Sequence, residues 1–422
     1  MRVKSLSLKN IGPFIDADLE FFTDADEKPP VVLITGENGT GKSIILDAIR
    51  GVFGGSYATL ERSLPRYNVT QRANIKLGIE LEGFETELES NSFIKRSSDH
   101  YEVGLSPSEQ NLGQELRFLP SRLEQGLVEA PNWLVDYWPS LLATGSYNVQ
   151  SLISPKHEKY LSQSLQGKKA KDNITQLICH FDYLRDSRDK NEQAMGKILY
   201  RFLEEIVASG LLEGGRLSHV ARATYEPMIF QNGQIIGLES LSSGNSYLIQ
   251  NLVDLLSRMY AVHFLRKTPL SELGKTPGLL LIDEAENQLH PKWQKRFVKT
   301  ILRLFPNLQI IATTHSPFII SSVPNARLFV CKSRGDHCVV VDETAEYSNK
   351  PVDEILMSPL FEETQPFNEE ITQLLERREV AIVANDIGLQ EQIEGQLKQL
   401  NPEAFSYFDV DKMIQSLANG GS

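Results

Sequence analysis

Residues 31–49 read VVLITGENGTGKSIILDAI. The run opens with four branched apolar residues, the pattern of a strand buried on both faces as in a parallel sheet. The next eight, Gly36-Glu37-Asn38-Gly39-Thr40-Gly41-Lys42-Ser43, fit G-x-x-x-x-G-K-[ST]. Apolar residues at helical spacing follow. The glycines let successive N–H groups turn inward around an anion, and the helix N-terminus adds the positive end of its dipole. Lys42 is expected to reach the β- and γ-phosphates of ATP, and Ser43 to hold Mg²⁺. A chance glycine-rich turn would lack the strand and helix on its two sides.

Three further features fit the same chemistry. Leu279–Ile282 is a second apolar strand, and it ends in Asp283-Glu284. Asp283 is expected to bind Mg²⁺ through water, and Glu284 to orient or deprotonate an attacking water. Leu241-Ser242-Ser243-Gly244-Asn245 stands before a long helical pattern, Tyr247–Phe264. Its hydroxyls and N–H groups make an anion site suited to a γ-phosphate. Nothing local supplies that site with a second nucleotide, so Ser242, Ser243 and Gly244 are expected to serve ATP held by another subunit. His315 follows a third apolar strand, Ile310–Thr314, where a γ-phosphate sensor would sit.

The rest of the chain is organised around these motifs. A hairpin is expected at Val3–Phe22 and antiparallel strands from about Asn74 to Leu105. Residues 106–150 read as irregular, and residues 150–225 as helical, with apolar positions at helical spacing. A second α/β run starts near Ile229, and the chain turns acidic and helical after about Cys338. The expected divisions are 1–150 and 236–345 as the two halves of an ATPase head, 151–235 as a helical insertion, and 346–422 as an acidic helical region. Gln150, after ATGSYN, is the candidate for a glutamine that follows the nucleotide.

Bulk composition narrows the classes. The 422 residues carry a net charge of -12, which does not describe a general nucleic-acid binder. Lys156, His157, Lys159, Lys168, Lys169 and Lys171 form a local basic cluster, compatible with a phosphate-contacting patch or with a solvated face. The three cysteines, Cys179, Cys331 and Cys338, form no C-x-x-C pair. That fits a reducing, cytoplasmic setting. No run of about 18 apolar residues spans a membrane, and MRVKSLSLKNIGPF lacks a signal-peptide core.

Taken together, LKNIGPF, GENGTGKS, LSSGN, LLLIDEAENQLHPKWQ and PNLQIIATTHSP resemble the ABC-type AAA ATPases of the SMC-like and OLD-like group. LHPKWQ and TTHSP are the more specific phrases. Their sum is similar to the stand-alone ATPases of antiphage defence, the PtuA type of Septu systems and the related retron subunits. The resemblance covers about residues 1–60 and 235–330. It implies an α/β fold: an ABC-type head with a mixed or parallel core sheet, an antiparallel β-subdomain and a short helical insertion. It also implies a homodimer or higher even oligomer closing on ATP, slow hydrolysis, and a separate HNH-type nuclease effector. In that frame Ala285–Leu289 would be the loop at the dimer seam, and His315 the switch histidine. Asn245 departs from the Gln, Glu or Arg that many relatives have.

No nuclease constellation is written in the chain itself. Asp409-Val410-Asp411 lacks the companion residues of a Toprim domain and reads as surface charge. Two other functions stay open at this point. One is a DNA-repair ATPase binding DNA directly, which DNA-stimulated turnover would favour. The other is an ATP-binding scaffold with negligible hydrolysis.

Overall fold

The structure is a computed structural model that describes residues 1–22, 31–54, 67–68, 70–71, 73–81, 83–92, 94–97, 100–103, 122–123, 125, 129–141, 143–165, 167, 170–211, 214–361 and 367–408. Contacts divide the chain into two compact units, Met1–Val352 and Asp353–Ser422.

In the first unit a ten-stranded mixed sheet carries everything else. At one side β1 (Arg2–Ile11) and β2 (Phe14–Glu20) form a hairpin closed at Gly12-Pro13, with Ile11 opposite Phe14. β4 (Ala73–Leu81) and β5 (Phe84–Ser92) continue antiparallel from β1, and β6 (Ile94–Ser97) and β7 (His100–Val103) pair antiparallel in a small ladder of their own. At the other side β3 (Val32–Gly36), β8 (Leu134–Trp138), β12 (Gly278–Ile282), β13 (Leu308–Thr313) and β14 (Arg327–Arg334) are parallel, in the order β14-β3-β13-β12-β8. β3, β12 and β13 are buried almost throughout, as apolar strands covered on both faces must be. β15 (His337–Asp342) pairs antiparallel with β14 and touches β2, joining the two sides.

Helix α1 (Lys42–Gly54) follows β3 and buries Ile45, Leu46, Ala48, Ile49, Val52 and Phe53. The helical middle comprises α2 (His157–Ser162), α3 (Lys171–Arg185) and α4 (Lys190–Gly210). These pack around α5 (Ser243–Arg266), which is buried along nearly its whole length. α6 (Pro291–Leu304) is amphipathic: Trp293, Phe297, Val298, Ile301 and Leu304 are buried while Lys292, Lys295, Arg296 and Lys299 face out. Pro291 opens it, where its missing N–H costs nothing. In the second unit, α8 (Glu369–Val383) and α9 (Ile387–Leu400) close on Ile371, Leu374, Ile393, Leu397, Phe405 and Phe408.

Several expectations need correction. The stretch read as irregular, 106–150, contains β8, a fully buried strand. Its apolar run is broken by Asp136, which is buried because Arg258 of α5 pairs with it. β4 and β5 are antiparallel as expected but belong to the main sheet. A separate antiparallel sheet begins instead at the end of the segment read as helical, 150–225, and runs on past it. Its strands are β9 (Arg216–Ala221), β10 (Glu226–Gln231) and β11 (Gln234–Gly237). β9 and β11 bury few residues, so their alternation is faint in the sequence. The acidic region expected after Cys338 begins with the end of β15 rather than with helix. Among the described residues no helix is long and apolar enough to cross a membrane.

His157 leaves the basic cluster. It is buried, with its ring 4.0 Å from that of Phe264 and edge-on to Tyr260 at 5.0 Å. Burial, and then the nearby His180, push its pKa down to about 4. The folded chain therefore refuses a proton that the unfolded chain accepts below about pH 6.5. Stability is complete above that value and is lost as pH falls toward 4. His157→Phe should remove about 2 kcal/mol of the stability difference between pH 7 and pH 5, read as a flatter dependence of the urea midpoint on pH. An unchanged slope would refute the assignment.

Candidate functional site

The loop expected to cradle phosphate, residues 36–43, sits at the C-terminal end of β3, where open parallel sheets place their ligand crevices. Gly36 has φ +136°, and a Cβ there would fall on the carbonyl oxygen of Cys331 in the neighbouring strand. Gly41 has φ +97°, and a Cβ would meet the Phe14 ring at 2.7 Å and Pro13 at 2.8 Å. The Gly12-Pro13-Phe14 turn of LKNIGPF thus supports the cradle from below. Lys42 donates to the carbonyls of Gly36 at 2.9 Å and Glu37 at 2.7 Å. Thr40 Oγ1 donates to Glu37 O at 2.8 Å. Burial lowers the Lys42 pKa, while Cys331 and the carboxylates of Glu286, Asp283 and Glu284 act in the opposite sense.

The acidic strand meets the cradle at one atom. Asp283 Oδ1 accepts from Ser43 Oγ at 2.8 Å, across 240 positions of sequence, and from Thr313 Oγ1 at 2.8 Å. Thr313 Oγ1 in turn accepts the backbone N–H of Glu284 at 2.8 Å. Asp283 N donates to Trp138 O at 2.9 Å, so β8 also holds the strand end. Glu284 itself has φ +53°. A non-glycine residue in that region stores about 1–3 kcal/mol of strain, and the bond to Thr313 and the Asn287 N–H to Glu284 O turn at 2.8 Å hold it there. The Ser43 hydroxyl and the buried Asp283 carboxylate are hard oxygen donors of the kind Mg²⁺ takes, alongside phosphate oxygens and water.

His315 is part of the same group. Burial lowers its pKa first and Lys42 second, while Glu286 and Asp283 oppose. Its backbone N–H donates to Glu286 Oε1 at 2.7 Å. The motifs give Thr313 no role and Glu286 none of its own beyond membership of the loop Ala285–Leu289. Both lie inside the quoted phrases, TTHSP and DEAENQLHP, so the signal was present but only the fold gives it meaning.

The other candidates lie elsewhere. Ser242 caps α5 by accepting from Asn245 N at 3.4 Å, and Ser242 and Ser243 are exposed while Gly244 is buried. Gln150 is exposed in a segment without helix or strand. Just before it, Ser146 Oγ and Tyr147 N donate to Glu239 at 2.9 and 3.2 Å, fastening that segment beside the signature. Of the basic cluster, Lys156 and Lys159 are exposed, Lys171 stands 5.2 Å from the Tyr147 ring, and Lys168 and Lys169 lie outside the described residues. So does the Asp409–Asp411 pair.

Two family models match this chain. One, an AAA domain, covers residues 5–198. The other, described as an AAA domain, putative AbiEii toxin, Type IV TA system, covers 145–321. Both models describe AAA domains. It is 28% identical over 152 residues to a retron Vc95 probable ATPase of Vibrio cholerae serotype O1 biovar El Tor, covering 36% of this chain and 29% of that protein. It is 23% identical over 324 residues to the Septu protein PtuA of Bacillus thuringiensis, covering 76% of this chain and 73% of PtuA. The chain thus spans under a third of the first relative's length. Among solved structures, the SMC head domain from Thermotoga maritima is 18% identical with a TM-score of 0.42, covering 81% of this chain and 99% of that one. An SmcHead bound to the C-winged helix domain of ScpA gives 16% and 0.46, covering 81% and 97%.

The geometry at Gly36 can be tested without any ligand. Gly36→Ala adds both a disfavoured φ and a clash with Cys331, and should cost about 3 kcal/mol of unfolding free energy. Gly39→Ala, whose Cβ would meet nothing within 4 Å, carries the φ penalty alone and should cost less. Equal losses in urea denaturation would contradict the close approach of β14 to the loop.

Proposed function

We propose that the chain binds and hydrolyses ATP and acts as the switch subunit of an antiphage defence complex. The observation that carries the reading is the Ser43–Asp283 contact, with Glu284 next in line and His315 in the same charged pocket. It unites a phosphate loop with an acidic strand end, the pair of parts that phosphoryl transfer from ATP requires.

The residues divide the work. Gly36, Glu37, Asn38, Gly39, Thr40 and Gly41 supply the loop whose N–H groups receive phosphate oxygens. Lys42 exchanges its two carbonyl partners for the β- and γ-phosphates. Ser43 and Asp283 would hold Mg²⁺, which neutralises charge on the phosphates when bound. Glu284 orients the attacking water and takes its proton, and its strained backbone fixes the carboxylate's starting point. His315 contacts the γ-phosphate. Ser242 and Ser243, exposed at the head of α5, with the buried Gly244 behind them, complete the site of a second copy, which makes the functional unit a homodimer or a higher even oligomer.

The defence role is supported by the likeness to the Septu protein and the retron ATPase. In this reading the dimer, closed on ATP, controls a separate HNH-type nuclease, and hydrolysis resets it. Any contact with nucleic acid is made through that partner or through the exposed Lys156 and Lys159.

Lys42→Ala should abolish ATP binding measured by calorimetry. Glu284→Gln should lower turnover by about 10²–10⁴-fold, the usual contribution of a positioned base. It should also gain an ATP-dependent dimer by light scattering. Unchanged turnover in Glu284→Gln would remove the catalytic assignment. A monomer that persists with ATP would remove the shared site.

A further inference from the structure

The loop after β12 and the loop after β13 are joined by side chains outside the motif roles. Glu286 uses both carboxylate oxygens on one peptide step: Oε2 accepts from Thr314 Oγ1 at 2.6 Å, and Oε1 accepts from His315 N at 2.7 Å. One residue further on, Gln294 of α6 makes a second tie. Its Oε1 accepts from Ser316 Oγ at 2.5 Å, and its Nε2 donates to Leu289 O at 2.8 Å. Ser316 Oγ also caps the short α7 (Pro317–Ser322), accepting from Phe318 N at 3.1 Å. At the opposite edge of the 284–289 loop, a Cβ on Gly244 would lie 2.6 Å from Gln288 O. The loop therefore lies between the signature on one side and His315 on the other.

We propose that Glu286 is a positioning residue for His315. An imidazole can read a γ-phosphate only if its Cα is fixed to within about half an ångström. Hydrogen bonds to a carboxylate are roughly twice as strong as neutral ones, and here two of them hold the step from Thr314 to His315. Because the same loop touches the signature helix, its position also links the end of the chain that serves a second copy's nucleotide to the sensor of its own. This inference rests on the ATP-binding reading above.

The test uses the full chain with Glu286→Ala, Glu286→Gln, His315→Ala and the double variant Glu286→Ala/His315→Ala. Affinities for ATP and ADP are measured by calorimetry, and kcat and KM by phosphate release. Glu286→Ala should lower kcat about 10- to 100-fold, the usual effect of misplacing a catalytic group by an ångström. It should also reduce the preference for ATP over ADP while leaving ADP affinity unchanged. Glu286→Gln keeps an acceptor and should fall in between. The double variant should be no worse than His315→Ala alone, since residues acting as one unit are not additive.

Losses that multiply in the double variant would overturn the proposal, as would an equal weakening of ATP and ADP. Should Glu286→Ala fail to fold, Glu286→Gln with and without His315→Ala gives the same comparison. A wild-type chain that binds both nucleotides without turnover still tests the proposal through its ATP-to-ADP preference. A wild-type chain that binds neither defeats the ATP reading itself, and this proposal with it.

Discussion

One carboxylate oxygen ties the molecule together. Asp283 Oδ1 is buried and accepts from both Ser43, at the start of α1 and 240 positions away, and Thr313, at the end of β13 and 30 positions away. A buried carboxylate without donors would cost several kcal/mol, so the strand ends cannot drift apart. The sheet order β3-β13-β12 meets this demand: β13 lies between the other two strands, pairs with β3 so that Thr313 stands opposite Ile34, and turns the Thr313 hydroxyl to Asp283 and the Glu284 N–H. The parallel pairing brings all three C-terminal ends to one edge, where the loop, the carboxylates and His315 gather.

That constraint also explains how the long middle of the chain is tolerated. Between β3 and β12 the chain inserts helices and a separate small sheet, yet none of these interrupts the β3-β13-β12 ladder. Instead α5 packs along the sheet side and reaches it through charge. Arg258 is buried, and it pairs with Asp136 of β8 and, at 2.9 Å, with Asp254 of its own helix. β8 in turn holds Asp283 through Trp138 O. A chain of polar contacts thus runs from α5 through Arg258 and Asp136 to β8, whose Trp138 carbonyl receives the Asp283 N–H.

What was legible in the sequence was local. The loop 36–43, the strand ending at Asp283 and the helix after Ser242 are each written within about ten residues, because glycine φ angles, apolar runs and capping hydroxyls act at short range. What was not legible depends on distant partners. Asp136 in β8 breaks an apolar run, and its charge is balanced in the interior by Arg258, 122 positions away. Thr313 is an ordinary strand threonine until Asp283 and the Glu284 N–H lie on either side of its hydroxyl. His157 reads as part of a basic cluster, yet it is packed against Phe264 of α5. Gly36 marks the border between the two kinds of information. Its place in the motif is local, but the reason it must be glycine is the carbonyl of Cys331 on another strand.

The two halves of the proposed ATP site are built differently, and this bears on where a switch would act. The cradle is held on every side: Phe14 and Pro13 lie under Gly41, Cys331 lies against Gly36, and Lys42 is bonded to two carbonyls of its own loop. A cradle fixed in this way spends little conformational entropy on taking up a phosphate chain. It exchanges hydrogen bonds that are already made, so the net gain per bond is modest. Ser242 and Ser243 are instead exposed at a helix start, with N–H groups that a helix leaves unpaired in its first turn. The larger free-energy change on closing would then come from that end, where new bonds to a γ-phosphate form without old ones being broken. In the proposed dimer, a cradle that is rigid in one subunit and a helix start that is open in the other would favour assembly of two copies over rearrangement of one.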